Sequence, residues 1–413
     1  MTQERPIWLF GENRGQTMDN NAWYAFRRLQ TRGDQLPVRA YFILESTPAH
    51  RARVSRLPQL LQHGIVWRNS RLHQRVFDRA HRFFIALSFQ DIEPTQVSGQ
   101  SRRSVPLVHL QHGTIGLKQV GYRGDYYRNT IDAFCVYTNE EASLLERHNR
   151  FREEQLFRLE YPPRYGKLLE TQARIPTKSG RVLWFLTWRD YLEASLVGGD
   201  AAAAHSRTLA ETVASTLAKS PFADAVKRGE FEVDVCFHQL FPREVMDDIQ
   251  RQIDLTISES QTHERIRLHH ATDVNLMELM AGAETLITDY SSLAYDMTFL
   301  GKPVCMYLFD VTEYLVHRDT YIDLREVFTE HVAYEPADLD DVLRRSRGSL
   351  HPYYGARVAP PQSSSARLAV VSGQHIDPLL EAMAHRDRVA PLVPIAVSPA
   401  DRLPTSVDAP VPT

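Results

Sequence analysis

Five consecutive residues, Thr288-Asp289-Tyr290-Ser291-Ser292, set four hydroxyl groups and a carboxylate between an apolar run ending at Leu286-Ile287 and a segment where Leu293, Met297 and Leu300 recur at helical spacing. Hydroxyl and amide donors gathered before the first turn of a helix suit an anionic group, most often a phosphate. An ordinary cap would use Asp289 or Ser291 alone, and a cluster of this length exceeds what a cap needs. His112 is the second group with evident chemistry: it follows the apolar run 105–110 and precedes Gly113-Thr114. Glycine leaves room for a substrate to approach, and an imidazole titrates near neutrality, where proton transfer is useful. His109, three residues earlier, reads as a strand residue. Arg189 ends Thr187-Trp188-Arg189, just after another apolar run, and a guanidinium binds phosphate oxygens in a planar fork.

All of these groups follow short apolar strands. Residues 284–310 read as one βαβ unit, with Gly301-Lys302-Pro303 stopping its helix, so the hydroxyl cluster falls at the carboxyl edge of a parallel sheet, where open α/β folds bind ligands. Further strands are expected at 6–10, 38–44, 83–87, 105–110 and 132–137, then at 182–186, 231–237 and 266–268. Helices are expected at 19–30, with Trp23, Phe26 and Leu29 inward, at 139–148, and at 366–384. The loop 11–15 after the first strand lacks the Gly-x-Gly-x-x-Gly spacing of a dinucleotide site and the lysine of a P-loop. Residues 195–204, rich in Gly and Ala, read as a mobile loop, and 173–180 as the linker between domains. The expected division is 1–172, 181–335, a closing helical segment 336–388 and a disordered Pro-rich tail 389–413.

A chain of 413 residues suits two domains. Apolar content of 43%, charged content of 24% and a net charge of −3 are those of a globular protein, with no basic excess to suggest a nucleic-acid partner. Cys135, Cys236 and Cys305 each lie in an apolar run without Cys-x-x-Cys spacing and read as reduced core thiols of a cytoplasmic protein. No apolar stretch approaches the ~18 residues of a membrane span, and the first residues lack a signal-peptide core. Peripheral attachment is another matter. Between Ser46 and Phe77 there is no acidic residue, while arginines accumulate through Arg51, Arg53, Arg56, Arg68, Arg71 and Arg75, with Arg79 and Arg82 just beyond. Leu57, Leu60, Leu61, Ile65, Trp67 and Phe77 give this segment an apolar side. The pattern suits either docking on an anionic membrane or a solvated helix face with a normal core side. Arg68, Arg71, Arg75, Arg79 and Arg82 carry the docking alternative, because their spacing places most of them on one helical side.

The string Thr-Asp-Tyr-Ser-Ser, then Asp296, Gly-Lys-Pro, and Asp310 with Tyr314 resembles the CDP-glycerol glycerophosphotransferases that build teichoic acids and related bacterial polymers. So do Gln111-His112-Gly113-Thr114, Pro163-Arg164-Tyr165, Thr187-Trp188-Arg189 and the segment holding Arg318, Tyr321 and Asp323. The resemblance covers nearly the whole chain before the tail. It implies an α/β, GT-B-like fold of two Rossmann-type domains facing a central cleft. It also implies transfer of glycerol phosphate, or a similar alditol phosphate, from CDP-glycerol or a related CDP-alditol to a hydroxyl of a polyprenyl-lipid-linked acceptor or growing polymer, with release of CMP at the inner face of the membrane. Thr288, Asp289, Ser291, Ser292, Arg189 and Arg164 would then bind the donor phosphates, and His112 and His238 would share the acid-base work in either order. Gly113, Thr114 and Lys118 would lie on the acceptor side, and neither a cofactor nor a metal is expected. Two positions depart from the family pattern: Gly166 stands where Asp is common, and Gln239 where Pro follows the histidine. A nucleotide-sugar glycosyltransferase of the same architecture and a catalytically silent scaffold are the rival readings.

Overall fold

Short runs of β-branched and aromatic residues alternating with helices build a parallel sheet in each half of the chain. In the computed structural model the described residues are 5–32, 36–95, 105–124, 131–193, 198–257, 260–329, 331–355 and 357–389. From residue 390 on, the expected disordered tail lies outside them. Two compact units divide the chain. The first holds residues up to Thr114, Gly121–Lys167 and the segment from Pro361; the second holds Ile115–Val120 and Leu168–Pro360.

In the first unit, β1 (Ile7–Gly11), β2 (Arg39–Leu44), β3 (Ile65–Trp67), β4 (Arg82–Ile85), β5 (Leu107–His109), β6 (Ile131–Val136) and β7 (Leu156–Arg158) form one sheet in the order 3-2-1-4-5-6-7. Every pairing is parallel. Strand order reverses between β1 and β4, the switch point at which such sheets bind ligands. One face is covered by helix Asn21–Thr31, whose Trp23, Phe26 and Leu29 pack as expected into a core with Trp8, Phe10, Phe42 and Phe84. The segment 376–383 packs against this core through Ile376, Leu379, Leu380 and Met383. The single closing helix expected at 366–384 is two, Ser364–Val371 and Asp377–Val389, because Gly373 at φ +76° breaks the path between them.

In the second unit, β8 (Arg181–Leu186), β9 (Glu232–Phe237), β10 (Ile266–His270), β11 (Thr285–Thr288), β12 (Val304–Tyr307) and β13 (Val332–Ala333) are ordered 10-9-8-11-12-13, again all parallel. Its switch point lies between β8 and β11. Of the mobile loop expected at 195–204, residues 195–197 lie outside the described residues, and 199–204 instead enter a long helix, Gly199–Lys219, because the alanine run 201–204 favours helix more than its glycine neighbours oppose it. The helix after β11, Leu293–Phe299, ends as expected at Gly301 with φ +73°. Lys302 has a purpose the sequence did not show: its buried ammonium donates to the carbonyls of Met280, Ala281 and Ala283 at 2.9, 2.5 and 2.5 Å, satisfying the open end of helix Leu276–Gly282.

All three cysteines are buried and free. Among the described residues no helix is long and apolar enough to cross a membrane.

Candidate active site

At the carboxyl edge of the first sheet, two buried carboxylates organise the loops. Glu12 follows β1 and accepts the Thr17 hydroxyl and the amides of Asp19, Asn20 and Trp23, at 3.2, 2.7, 2.8 and 3.0 Å. Burial, with the Asp19 charge, pushes its carboxyl up to about 7. Asp91 accepts the amides of Arg14, Ala86, Leu87 and Ser88 at 3.1, 3.2, 2.8 and 3.1 Å, and burial raises it to about 6. Both therefore hold backbone in place at the switch point rather than facing a ligand.

His112 stands on a turn secured from below. Gln111 adopts φ +54°, an uncommon backbone for a non-glycine residue. Its side-chain amide donates to the Cys135 carbonyl at 2.5 Å and to Glu141 at 3.1 Å, which fixes the turn. Asn21 ties this turn to the Arg164 segment: its amide nitrogen donates to the carbonyls of Leu110 and Gln111 at 3.1 and 2.8 Å, and its oxygen accepts the Arg164 amide at 3.1 Å. Sequence reasoning missed Asn21, which no local pattern distinguishes from its polar neighbours. His112 itself is exposed, while Gly113 and Thr114 are buried beside it. His109 is fully buried, stacked on Phe134 at 4.6 Å, and burial drives its imidazole down to about 3, so it stays neutral. Arg164 is buried over the Tyr165 ring, and its charge acts on Asp19. The glycine at 166 has a local cause: a β-carbon there would lie 2.5 Å from the Val370 carbonyl oxygen, so the returning helix leaves no room for a carboxylate.

In the second unit the centre of the edge is Arg189, with no exposed surface. Its guanidinium meets Asp289 at 2.7 Å, the Thr187 carbonyl at 2.6 Å, and both Asp310 oxygens at 2.6 and 3.2 Å. Tyr290 and Tyr314 stack at 3.5 Å with the guanidinium carbon 5.1 and 5.6 Å from their centroids. The hydroxyls of Tyr290 and Tyr191 donate to Asp310, the first at 3.1 Å. Asp289 also accepts the Thr187 amide and hydroxyl and the Tyr290 amide. This knot joins the ends of β8, β11 and β12. The planar fork read from the sequence as open to phosphate is thus turned onto carboxylates of the same unit.

Of the hydroxyl cluster, Thr288 donates inward to the Phe185 carbonyl at 3.0 Å, Ser291 accepts the Leu293 amide at 3.2 Å while keeping its own hydrogen to donate, and Ser292 is half-buried. His238 follows β9 at the same edge, with Nδ1 accepting the Leu240 amide at 3.3 Å. Lys118 belongs to this unit, because the segment 115–120 bridges to Thr320 and the Leu117 carbonyl accepts the Tyr321 amide at 2.8 Å. Burial and the neighbouring Arg318 charge lower its ammonium to about 8, against the pull of Asp289 and Asp190. Lys118, Arg318, Asp190 and the Arg189 knot therefore form one charged cluster, which no single stretch of sequence displayed.

The basic segment is divided by the fold. Arg71 and Arg75 are exposed one turn apart on helix Arg71–Asp78, and Arg79 is exposed at its end. Arg68 is half-buried and points a donor at the Asp91 carbonyl, 3.4 Å away. Arg82 does not belong with them: it lies in β4, 2% exposed, paired with Asp132 and Asp387, so it cannot reach a membrane. The apolar side expected for this segment is largely spent on the core, through Leu61, Ile65, Val76 and Phe77, leaving Leu60 and Leu72 exposed.

Two parallel sheets of Rossmann order, with the candidate residues on their carboxyl edges, give a GT-B-like fold. The family model described as CDP-glycerol:poly(glycerophosphate) glycerophosphotransferase matches residues 2–359, and the chain belongs to that family. It is accordingly a CDP-glycerol glycerophosphotransferase. Among solved structures, the wall teichoic acid polymerase TagF is similar at 16% identity and a TM-score of 0.58, covering 94% of this chain and 91% of that one. A histidine-to-asparagine variant of TagF soaked with CDPG is similar at 15% identity and 0.57, covering 94% and 90%. The S. aureus MnaA–UDP structure shares the fold at 10% identity and 0.50, covering 91% and 97%. No curated protein sequence matches the chain.

The buried Glu12 has a measurable consequence. Its folded value near 7 lies above the ordinary ~4.3 of a glutamate. The folded chain therefore holds a proton that the unfolded chain releases between those values. The stability Glu12 contributes is full below the unfolded value and is lost as pH rises through 7, up to about 4 kcal/mol at 1.36 kcal/mol per pKa unit. Chemical denaturation at pH 5 and pH 8 should show a larger loss for the wild type than for Glu12→Gln; equal losses would mean the carboxyl is ionised throughout.

Proposed function

We propose that the chain moves glycerol phosphate from CDP-glycerol to a hydroxyl of a lipid-linked acceptor or growing polymer and releases CMP. The match to the family over residues 2–359 carries the reading, supported by a charged and hydroxyl-rich cluster on the second sheet's edge. The acceptor oxygen attacks the β-phosphorus, the bond from that phosphorus to the bridging oxygen breaks, and CMP leaves with the electron pair. Most of the barrier in such a transfer is positioning and charge. His112 takes the acceptor proton, and His238 supports the departing CMP. Gly113 and Thr114 shape the approach to His112. Ser291 and Ser292 donate to the pyrophosphate, while Lys118 and Arg318 supply positive charge against the negative charge that builds on the leaving group. Thr288, Asp289 and Arg189 act one step back, holding the ends of three strands in register. Arg164 acts likewise on the first unit's edge, through its charge on Asp19.

The test is mass analysis of products from CDP-glycerol, CDP-ribitol and UDP-sugars with a short lipid acceptor. A product heavier by one or more glycerol phosphate units, with equimolar CMP, supports the reading. Release of UDP with a glycosylated product would overturn it in favour of sugar transfer.

Such an acceptor places the enzyme on an anionic surface, and Arg71, Arg75 and Arg79 with Leu60 and Leu72 are suited to meet it. Each basic residue near anionic lipid contributes ~1 kcal/mol, so three give ~3 kcal/mol, about a hundredfold in partitioning. Reversal of the three arginines to Glu should release the protein from anionic vesicles in low salt and leave CDP-glycerol binding intact. Vesicle co-sedimentation reads this, and retention of the Glu variant would exclude these arginines as the dock.

A further inference from the structure

A cavity of about 730 Å³ opens beyond the carboxyl ends of β12 and β13, within the size range of small-molecule sites. Its lining includes Asp310, Glu313, Arg325, Thr208 and His205. At its rim, His205, Glu313 and His317 bring three ligand-type atoms within 4.8 Å of one another. We propose that these three residues bind a divalent transition-metal ion of the zinc type, with an open coordination position toward the cavity.

The geometry suits such an ion. Glu313 and His317 are one turn apart on helix Val311–His317 and so share a face. His205 reaches them from a different helix, Gly199–Lys219. The Glu313 Oε1 atom lies 3.1 Å from His317 Nε2 and 3.6 Å from His205 Nε2. Bonds of about 2.0–2.1 Å to a tetrahedral zinc put neighbouring ligand atoms about 3.3–3.4 Å apart, and the two separations bracket that edge. A simple surface ion pair within the helix explains His317 and Glu313 but leaves the arrival of His205 at the same oxygen without a cause. The imidazoles are also held from behind. The Tyr191 ring lies 5.0 Å from that of His205 and 5.6 Å from that of His317, and its hydroxyl is anchored on Asp310. Two imidazoles and one carboxylate favour zinc, cobalt or nickel over magnesium or calcium, which prefer all-oxygen shells. Three protein ligands leave a fourth position for a ligand oxygen, and both His205 and Glu313 line the cavity from which it would come. The resemblance implied no metal, and this donor set is assembled from separate helices.

None of the three ligands is assigned a part in the transfer, so the test uses metal alone on the full chain. Metal-stripped protein is titrated with Co²⁺, read by visible absorption, and with Zn²⁺, read by calorimetry and by elemental analysis after dialysis. The expected result is one Zn²⁺ per chain, Co²⁺ bands displaced by Zn²⁺, and no competition from Mg²⁺. His205→Ala and His317→Ala should each weaken binding by at least the 10- to 100-fold that loss of a supporting contact costs, while His63→Ala on the first unit changes nothing. Glu313→Gln, which preserves shape, serves if His205→Ala does not fold. Substoichiometric metal, or undiminished binding by the His205 and Glu313 variants, would overturn the proposal whatever the donor proves to be.

Discussion

Replacing His112 with alanine is expected to lower kcat by about 10²- to 10⁴-fold, the range for a positioned general base, with little change in the melting temperature. The side chain is exposed, so its removal opens no cavity, whereas the turn beneath it is fixed by Gln111, Asn21 and Glu141 and should persist. His109→Ala should behave in the opposite way. Its ring is buried, accepts the Gln111 amide at 3.2 Å and lies 3.2 Å from the Leu87 carbonyl, so its loss leaves buried groups unpaired at about 1–3 kcal/mol each. The pair of variants therefore separates rate from stability. The acidic limb of the kcat/KM profile should vanish in His112→Ala. If kcat and that limb both survive, the base is another residue, and His238→Ala becomes the variant to follow.

The strands were legible where apolar runs were long enough to stand out, as in β1, β6, β8 and β9. Three were not. β3 and β7 span three residues each and β13 two, and β3 lies inside the arginine-rich segment, where charge hides a short Ile65-Val66-Trp67 run. Site positions were legible for the same reason strands were, since Thr187, His238 and the 288–292 cluster all follow apolar runs. Their partners were not, because partners are chosen by strand order. Arg189 and Arg82 illustrate this: in the sequence each is an arginine beside an apolar run, and in the fold each is buried against two carboxylates from distant segments. Lys118 shows a second limit. It follows a first-unit strand in the chain, yet its segment pairs with residues 319–321 of the second unit, and no local pattern announces a crossing of that kind.

The largest stability effect is expected from Arg189→Met. Removing the cation leaves the buried Asp289 and the half-buried Asp310 without their compensating charge, and breaking a buried pair in this way costs about 3–5 kcal/mol. For a unit of this size, at about 2–4 °C per kcal/mol, the second unit should melt on the order of 10 °C lower. Arg189→Lys should recover only part of the loss. A lysine ammonium is a point charge and cannot bridge Asp289, the Thr187 carbonyl and both Asp310 oxygens as the fork does. Asp310→Asn combined with Arg189→Met removes one orphaned charge and should be more stable than Arg189→Met alone, a non-additivity that a double-mutant cycle reads directly. A phosphate ligand would behave differently. If Arg189→Met melts with the wild type and instead loses CDP-glycerol affinity, the guanidinium faces the donor in solution and the knot of β8, β11 and β12 is not what holds this edge together.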